Sequence, residues 1–399
     1  MGSDATPHLD VAPVAPPAPT GPSDPEKNFR FYDNRQKYLM FVNTCSEKWV
    51  VAKRAASELE AFAPRPPALR LFDAGMGDGT VLTRLMRTMH SLYERIPFYI
   101  VGKEISLEDV RLTLEKMPDR FFEHPDTVLV VTNMHYAEAP WLTPRKGADD
   151  VVWHEVALEG ATASEFDLQI EALQPFLADN WRARISKTSG NPVYQKPVVL
   201  VLYRADCRFV LDQVLPRPEA PRADYDFVLA SQPYRARAST EFKARRVVAP
   251  LARALAPGGR LLGIHSYGHD PGLEIVRHIW PDEQPFITSR HALLAATREE
   301  LGDEAPAFAF AAGSDDWSLF RYDMHTLPGE IETGAAASIG TSTLWAAWNA
   351  ATYVAQIEDE RLAEAMATDS YLAATREVLR RRGGLWFLDE SYVISRRLG

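Results

Sequence analysis

Four clusters of residues in this chain have the types and spacing for chemistry. Asp73 opens an Asp-x-Gly-x-Gly-x-Gly run through Gly75, Gly77 and Gly79. Glycine admits positive φ and lets backbone approach a ligand. A helix starting just after such a turn aims its amides and positive dipole end at whatever lies above it. A carboxylate or phosphate suits those amides, and Asp73, ahead of the first glycine, suits a cationic amino group. The third glycine comes one residue too early for the Gly-x-Gly-x-x-Gly dinucleotide fingerprint, and no Gly-Lys-Ser/Thr follows as in a P-loop. Glu104 ends an apolar run about one helix further on, where a carboxylate can accept hydrogen bonds from ribose hydroxyls. Ser231-Gln232-Pro233-Tyr234 offers a polar side chain, carbonyls and a planar ring. His265 and His269 lie in His265-Ser266-Tyr267-Gly268-His269-Asp270-Pro271-Gly272, and either imidazole could take a proton near neutral pH or serve in structural hydrogen bonds. Gly268 and Pro271 oppose the helix that would turn both histidines toward one metal, so no metal is expected.

These residues need strands and helices in a fixed order. The apolar run 68–73 reads as a strand, and Val81, Leu82, Leu85, Met86 and Met89 then recur at helical spacing to about residue 95. A strand over 98–104, a helix over 107–117 and a strand over 127–132 follow, the last leading into Asn133 and Met134. Residues 224–231 form the next strand and 240–256 a helix, whose Lys243, Arg245 and Arg246 read as a solvated face. Pro257-Gly258-Gly259 stops that helix before a strand that runs into His265. Helices are expected over 273–280, 291–300, 343–356 and 360–381, with strand-like segments over 317–327 and 385–396.

Strand–helix alternation makes this an α/β chain. Its five segments are a Pro/Ala-rich tail expected to be disordered (1–25), N-terminal helices (26–66), a first half of the sheet domain (67–139), an insertion (140–222) and a second half with C-terminal helices (223–399). On the N-terminal helices Tyr38, Phe41, Val42, Cys45 and Trp49 fall on one face, and Thr44-Cys45-Ser46-Glu47 has capping-box spacing. The insertion holds an apolar segment (151–158), an amphipathic helix (164–181) and a strand-like run (197–203). It is too long for a structureless loop and is expected to stand as a subdomain over a substrate site, with His154, Glu155 and Tyr203 as candidate lining residues.

With 399 residues, 46% hydrophobic and 25% charged, the composition is that of a globular protein with a substantial core. The net charge of -10 disfavours nucleic acid as a partner. Two cysteines, Cys45 and Cys207, cannot build a disulfide framework, so a reducing, cytoplasmic interior is expected. No apolar run approaches the roughly 18 residues that span a bilayer, and no secretion signal is visible, so no membrane partner is expected. The sequence is silent on oligomeric state.

Together, the glycine turn, Glu104, the strand before Ser231 and Leu255-Ala256-Pro257-Gly258-Gly259-Arg260-Leu261 resemble the class I S-adenosylmethionine-dependent methyltransferases. The resemblance implies a Rossmann-like, mostly parallel sheet of seven strands, the last antiparallel, with a helical N-terminal lid in which Tyr32, Tyr38 and Phe41 could close the pocket. It implies S-adenosyl-L-methionine as cofactor, held by Asp73, Gly75, Gly77, Gly79, Glu104 and Ser231, with Ile105, Asn133 and Met134 near adenine. The expected reaction is N- or O-methylation of a small-molecule acceptor, with Tyr234, His265 and His269 as candidate bases. Ser231-Gln232-Pro233-Tyr234 also partly resembles the Asp/Asn/Ser-Pro-Pro-aromatic motif of amino-methyltransferases, which suggests a nucleobase or protein side-chain amide instead. A third reading is a non-catalytic cofactor-binding scaffold.

Overall fold

A computed structural model describes residues 35–145, 147, 150–186, 192–326 and 339–398. The tail over 1–25 and Tyr32 lie outside the described residues. The strands are β1 (Leu69–Asp73), β2 (Phe98–Lys103), β3 (Thr127–Thr132), β4 (Val152–Leu158), β5 (Ala183–Ile185), β6 (Pro192–Tyr194), β7 (Val198–Arg204), β8 (Tyr225–Ser231), β9 (Leu255–Ser266), β10 (Phe308–Ala311), β11 (Leu319–Asp323) and β12 (Trp386–Arg396). Ten of them form one sheet in the order β10-β12-β9-β8-β1-β2-β3-β7-β4, with β11 beside β12, while β5 and β6 pair separately.

The run β3-β2-β1-β8-β9 is parallel, and the sequence-adjacent order reverses between β1 and β8. Ligands of open α/β sheets bind outside the carboxyl ends of the strands at such a switch point. β12 runs antiparallel to β9 and β10 antiparallel to β12. The stretch β3-β2-β1-β8-β9-β12-β10 has the seven strands expected, with the last in sequence, β12, antiparallel, but its sixth strand is β10, where no strand was expected; the strand-like segment over 317–327 is β11, an addition beside β12 as β7 and β4 are beyond β3.

Those additions correct the reading of the insertion. Every residue of β7 is buried, and a strand this apolar needs cover on both faces, which the central sheet supplies. β7 therefore pairs antiparallel with β3, and β4 follows as the edge. His154, Glu155 and Tyr203 lie on this edge, where the Tyr203 hydroxyl donates to Glu155 at 2.7 Å, and none of them lines the main cavity. The helix expected over 164–181 is two helices, Ala163–Glu171 and Gln174–Asn180. Pro175 has no amide to continue the first helix but is tolerated in the first turn of the second.

Alternate strand residues feed two cores, one on each face of the sheet. Leu71, Ile100, Leu129 and Leu200 pack with Leu82 and Leu85 of the helix Thr80–Leu92. Phe72, Tyr99, Val130 and Val201 pack on the other face with Leu251 and Leu293. A third cluster joins Phe41 and Cys45 to Trp348, Tyr353 and Phe387. It docks the N-terminal helix Arg35–Thr44 against Thr341–Val354, beside the switch point. The second N-terminal helix, Glu47–Leu59, begins at Ser46, so the capping box expected from Thr44 does not form. Ser46 instead accepts the Asp323 amide at 3.0 Å. Among the described residues no helix is long and apolar enough to cross a membrane.

Candidate active site

The glycine turn runs from the end of β1 to the helix Thr80–Leu92 and is fixed by contacts that leave its top open. Gly77 and Gly79 have φ of 53° and 75°, the left-handed region that glycine enters without strain. A Cβ on Gly79 would meet Thr113 Oγ1 at 2.7 Å. That hydroxyl donates to the Gly77 carbonyl at 2.9 Å, so Gly79 packs the turn onto the next helix and does not face the cavity. Gly75 and Gly77 line a cavity of about 1280 Å³, together with Tyr38, Lys48, Glu104, Ile105, Tyr136, Ser231 and Tyr234.

Asp73 lies beneath this turn, 2% exposed. Its Oδ1 accepts the Gly75 amide at 3.2 Å, while its Oδ2 is buried without a hydrogen-bond partner. Burial pushes the carboxyl up to about 7, against the Gly75 amide and the charge of Lys48, with Glu104 adding to the rise. A buried acceptor without a donor is unfavourable, and a cation delivered there would satisfy it. Lys48 comes from the helix Glu47–Leu59 and lines the same cavity. Burial works against its charge, but Tyr38, Glu47, Asp78 and Asp109 outweigh it and hold the ammonium above its ordinary range.

Glu104 stands one residue past β2. Its Oε2 accepts the Gly77 amide at 3.0 Å, and its Oε1 accepts the amides of Ile105 at 2.7 Å and Ser106 at 2.9 Å. The carboxylate therefore ties the glycine turn to the next strand. Trp181, from the insertion, donates its indole N–H to the Glu104 carbonyl at 3.1 Å, so the added segment braces this residue from outside.

Asn133 and Met134 do not reach the cavity. Asn133 donates to the Lys196 carbonyl and accepts the Val198 amide, both at 2.9 Å, anchoring the start of β7; Met134 is fully buried in the core. The next two residues face the cavity in their place. The Tyr136 hydroxyl donates to the Pro233 carbonyl at 2.5 Å, with Lys103 Nζ lying 4.8 Å from its ring centre. His135 is held below its ordinary pKa first by partial burial and then by Lys103 and Arg145, with Glu138 opposing.

Beyond β8, Gln232 has φ of 48°, an unusual value for a residue with a side chain. Its amide group donates to Ser266 Oγ at 3.1 Å and Asp389 Oδ1 at 3.2 Å. Proline, fixed near φ of about −65°, cannot adopt this conformation. With Gln232 in place of a proline the backbone thus takes a different path, and the Pro233 carbonyl beside it already accepts the Tyr136 hydroxyl.

Tyr234 is 8% exposed on the cavity wall and begins a buried polar chain. Its hydroxyl lies 2.5 Å from His265 Nδ1, and His265 Nε2 lies 2.7 Å from Glu390 Oε1. Glu390 also accepts the Arg290 amide at 2.8 Å and Arg290 Nη1 at 2.9 Å, and Arg290 continues to Asp315. Burial raises the Glu390 pKa, but His265 and Arg290 outweigh it and keep the carboxylate ionised. His265 therefore reaches the cavity only through Tyr234. His269 does not reach it: φ values of 77° at Gly268 and 59° at His269 turn the chain away. Its ring lines a separate depression of about 490 Å³ with Arg277 and Trp386.

No protein-family model matches the chain, and no curated protein matches it. Among solved structures it is similar to a candidate sarcosine dimethylglycine methyltransferase from Galdieria sulphuraria, at 11% identity over 87% of this chain and 85% of that one, with a TM-score of 0.31. It is similar to a geranyl diphosphate methyltransferase at 12% identity over 86% and 78%, TM-score 0.31. An uncharacterized protein from Burkholderia thailandensis gives 13% identity over 91% and 81%, TM-score 0.32. Likenesses this distant assign no activity. The order and directions of the strands are those of a Rossmann-like α/β sheet, mostly parallel with its last strand antiparallel.

Proposed function

We propose that this chain is an S-adenosyl-L-methionine-dependent methyltransferase that methylates nitrogen or oxygen of a small-molecule acceptor. One observation carries the reading. At the sheet's switch point, a buried Asp73 with an unpartnered carboxylate oxygen and Glu104 flank one glycine turn over one large cavity. Asp73 suits the cofactor's ammonium, and Lys48 suits its carboxylate. Glu104 has about four lone-pair sites, three of them used by backbone amides, which leaves one for a ribose hydroxyl. Gly75, Gly77 and Ser231 form the floor, and Ile105 an apolar neighbour for adenine.

The bound cofactor supplies a methyl group on a sulfonium, already electrophilic. This chain's residues orient the acceptor and take its proton. As the acceptor's proton moves to the Tyr234 oxygen, the phenol's own proton passes to His265 Nδ1. Tyr234 ends neutral, so the burial that pushes its hydroxyl well above the ordinary range is no obstacle. The imidazolium formed faces Glu390, and with Asp315 negative and Arg290 positive the chain carries one negative charge to compensate it.

The test is calorimetry with S-adenosylhomocysteine, followed by incubation with labelled cofactor and separate metabolite, protein and RNA pools. Binding with label in a metabolite other than the cofactor itself is expected. Label in RNA or protein alone would favour the nucleobase or amide reading, and binding without transfer the scaffold. No heat with either the methyl donor or its product would remove the proposal.

A further inference from the structure

The charges of the cavity are sorted by the elements that carry them. Glu47, Glu104, Glu108 and Asp109 come from the segments packed about the glycine turn, with Asp73 and Asp78 buried beneath and Lys48 in their field. Arg235, Arg237, Arg245, Arg246 and Arg253 come from the segment that follows β8, and Lys103 and Arg145 also line the cavity. Arg237 is bound to Glu283 and two backbone carbonyls, and Arg253 to Glu304, so both are structural. The side chains of Lys103, Arg145, Arg245 and Arg246 make no hydrogen bond or ion pair among the described residues, Lys103 lying over the Tyr136 ring in the field of Glu104, in a chain whose net charge is -10. Three further carboxylates line the cavity: Glu138, which is engaged by Tyr194 and by the amides of His135 and Arg145, and Glu300 and Glu358.

Local structure aims Arg245 and Arg246 at the cavity. In an unbroken α-helix the ring of Pro250 would strike the Arg246 carbonyl. The chain widens instead into a π-turn, Ala244–Val248, between the helices Thr240–Lys243 and Ala249–Arg253. Such turns recur at functional sites. Ala244, Val247 and Val248 go to the core, and Arg245 and Arg246 stay exposed on the cavity rim. Phe242, 38% exposed, and Tyr234 add aromatic rings to the same cavity lining.

Resting on the methyltransferase reading, we propose that the arginine-bearing lining is the acceptor site and that the acceptor is a small molecule carrying an oxyanion, a carboxylate or phosphate, on an apolar or planar body. The cationic donor is drawn to the acidic segments and the anionic acceptor to the basic one, so the field orients both before contact. Paired guanidinium forks match an oxyanion's geometry and bind it by charge-assisted hydrogen bonds.

The experiment incubates the full chain with methyl-labelled cofactor and a total metabolite extract, and separates products by anion exchange at neutral pH. Labelled product should be retained and released by salt. Arg245→Glu/Arg246→Glu should reduce it at least tenfold while the affinity for S-adenosylhomocysteine stays within twofold. Phosphatase treatment before separation tells a phosphate ester, which shifts, from a carboxylate, which does not. Labelled product other than the unreacted cationic cofactor in the unretained fraction, or wild-type labelling by the double variant, overturns the proposal. A second measurement does not need turnover: protein saturated with S-adenosylhomocysteine is titrated with inorganic phosphate and with benzoate. Binding of at least one, lost in the double variant and in Arg245→Gln/Arg246→Gln, supports the site. Binding of neither overturns it even if S-adenosylhomocysteine binds, whereas failure of S-adenosylhomocysteine itself to bind defeats the underlying reading.

Discussion

Lowering the pH through neutrality should weaken S-adenosylhomocysteine binding, and Asp73 sets the size of the effect. Its carboxyl is pushed up to about 7 by burial, and one oxygen has no donor. An ammonium at that oxygen favours the carboxylate, so below pH 7 the ligand must displace a proton. With about 7 in the free protein and an ordinary or lower value in the complex, affinity should fall roughly 25-fold between pH 7.5 and 5.5, about 2 kcal/mol. Calorimetry in buffers of different ionisation enthalpy should register release of about 0.9 proton at pH 6. Asp73→Asn should bind weakly and show neither effect. The sign for stability is opposite. A carboxyl raised above its unfolded value of 3.8 contributes stability fully below that pH and loses it as pH rises toward 7. Weaker binding at pH 5.5 is therefore not unfolding caused by this group, and the ligand's increment in melting temperature should grow with pH. An affinity constant within twofold from pH 5.5 to 7.5, with no proton release, would refute the assignment of Asp73 to the amino group.

Glu104→Ala removes an acceptor shared by three amides and should weaken cofactor binding by roughly 1–3 kcal/mol; an unchanged affinity in the same titration would take Glu104 out of the site. His265→Asn should lower methyl transfer by roughly 10²- to 10⁴-fold while cofactor affinity stays within twofold, and wild-type transfer would break the relay. Glu390→Gln leaves Arg290 without its buried carboxylate and should destabilise the fold by roughly 3–5 kcal/mol in denaturant unfolding, whereas an unshifted midpoint would show that the pair adds nothing. Gly79→Ala forces a Cβ onto Thr113 at φ of 75° and should lower stability by about 2 kcal/mol or more; a melting temperature equal to wild type would contradict that geometry.

What the sequence determined by itself was local. The glycine turn, the strand before it and the helix after it follow from neighbouring residues, because period and turn chemistry act over a few positions. Glu104 was legible for the same reason, since a strand end one helix past the turn must lie beside it in a parallel sheet. Tertiary packing decided the rest. His265 and Glu390 are 125 residues apart and meet only because β9 and β12 pair antiparallel. Lys48 enters the cavity because the N-terminal helices dock beside the switch point, held there by burial of Phe41 and its neighbours and by hydrogen bonds to Asp323, His325 and Asn349. His135 and Tyr136 take the places expected for Asn133 and Met134 because Asn133 is drawn off to anchor β7, a strand whose partner no local pattern names. Lys243, Arg245 and Arg246 read as a plain solvated face at helical spacing, but Lys243 is buried on the Ala236 carbonyl and Thr288, and only the π-turn sets Arg245 and Arg246 on the lining of the cavity.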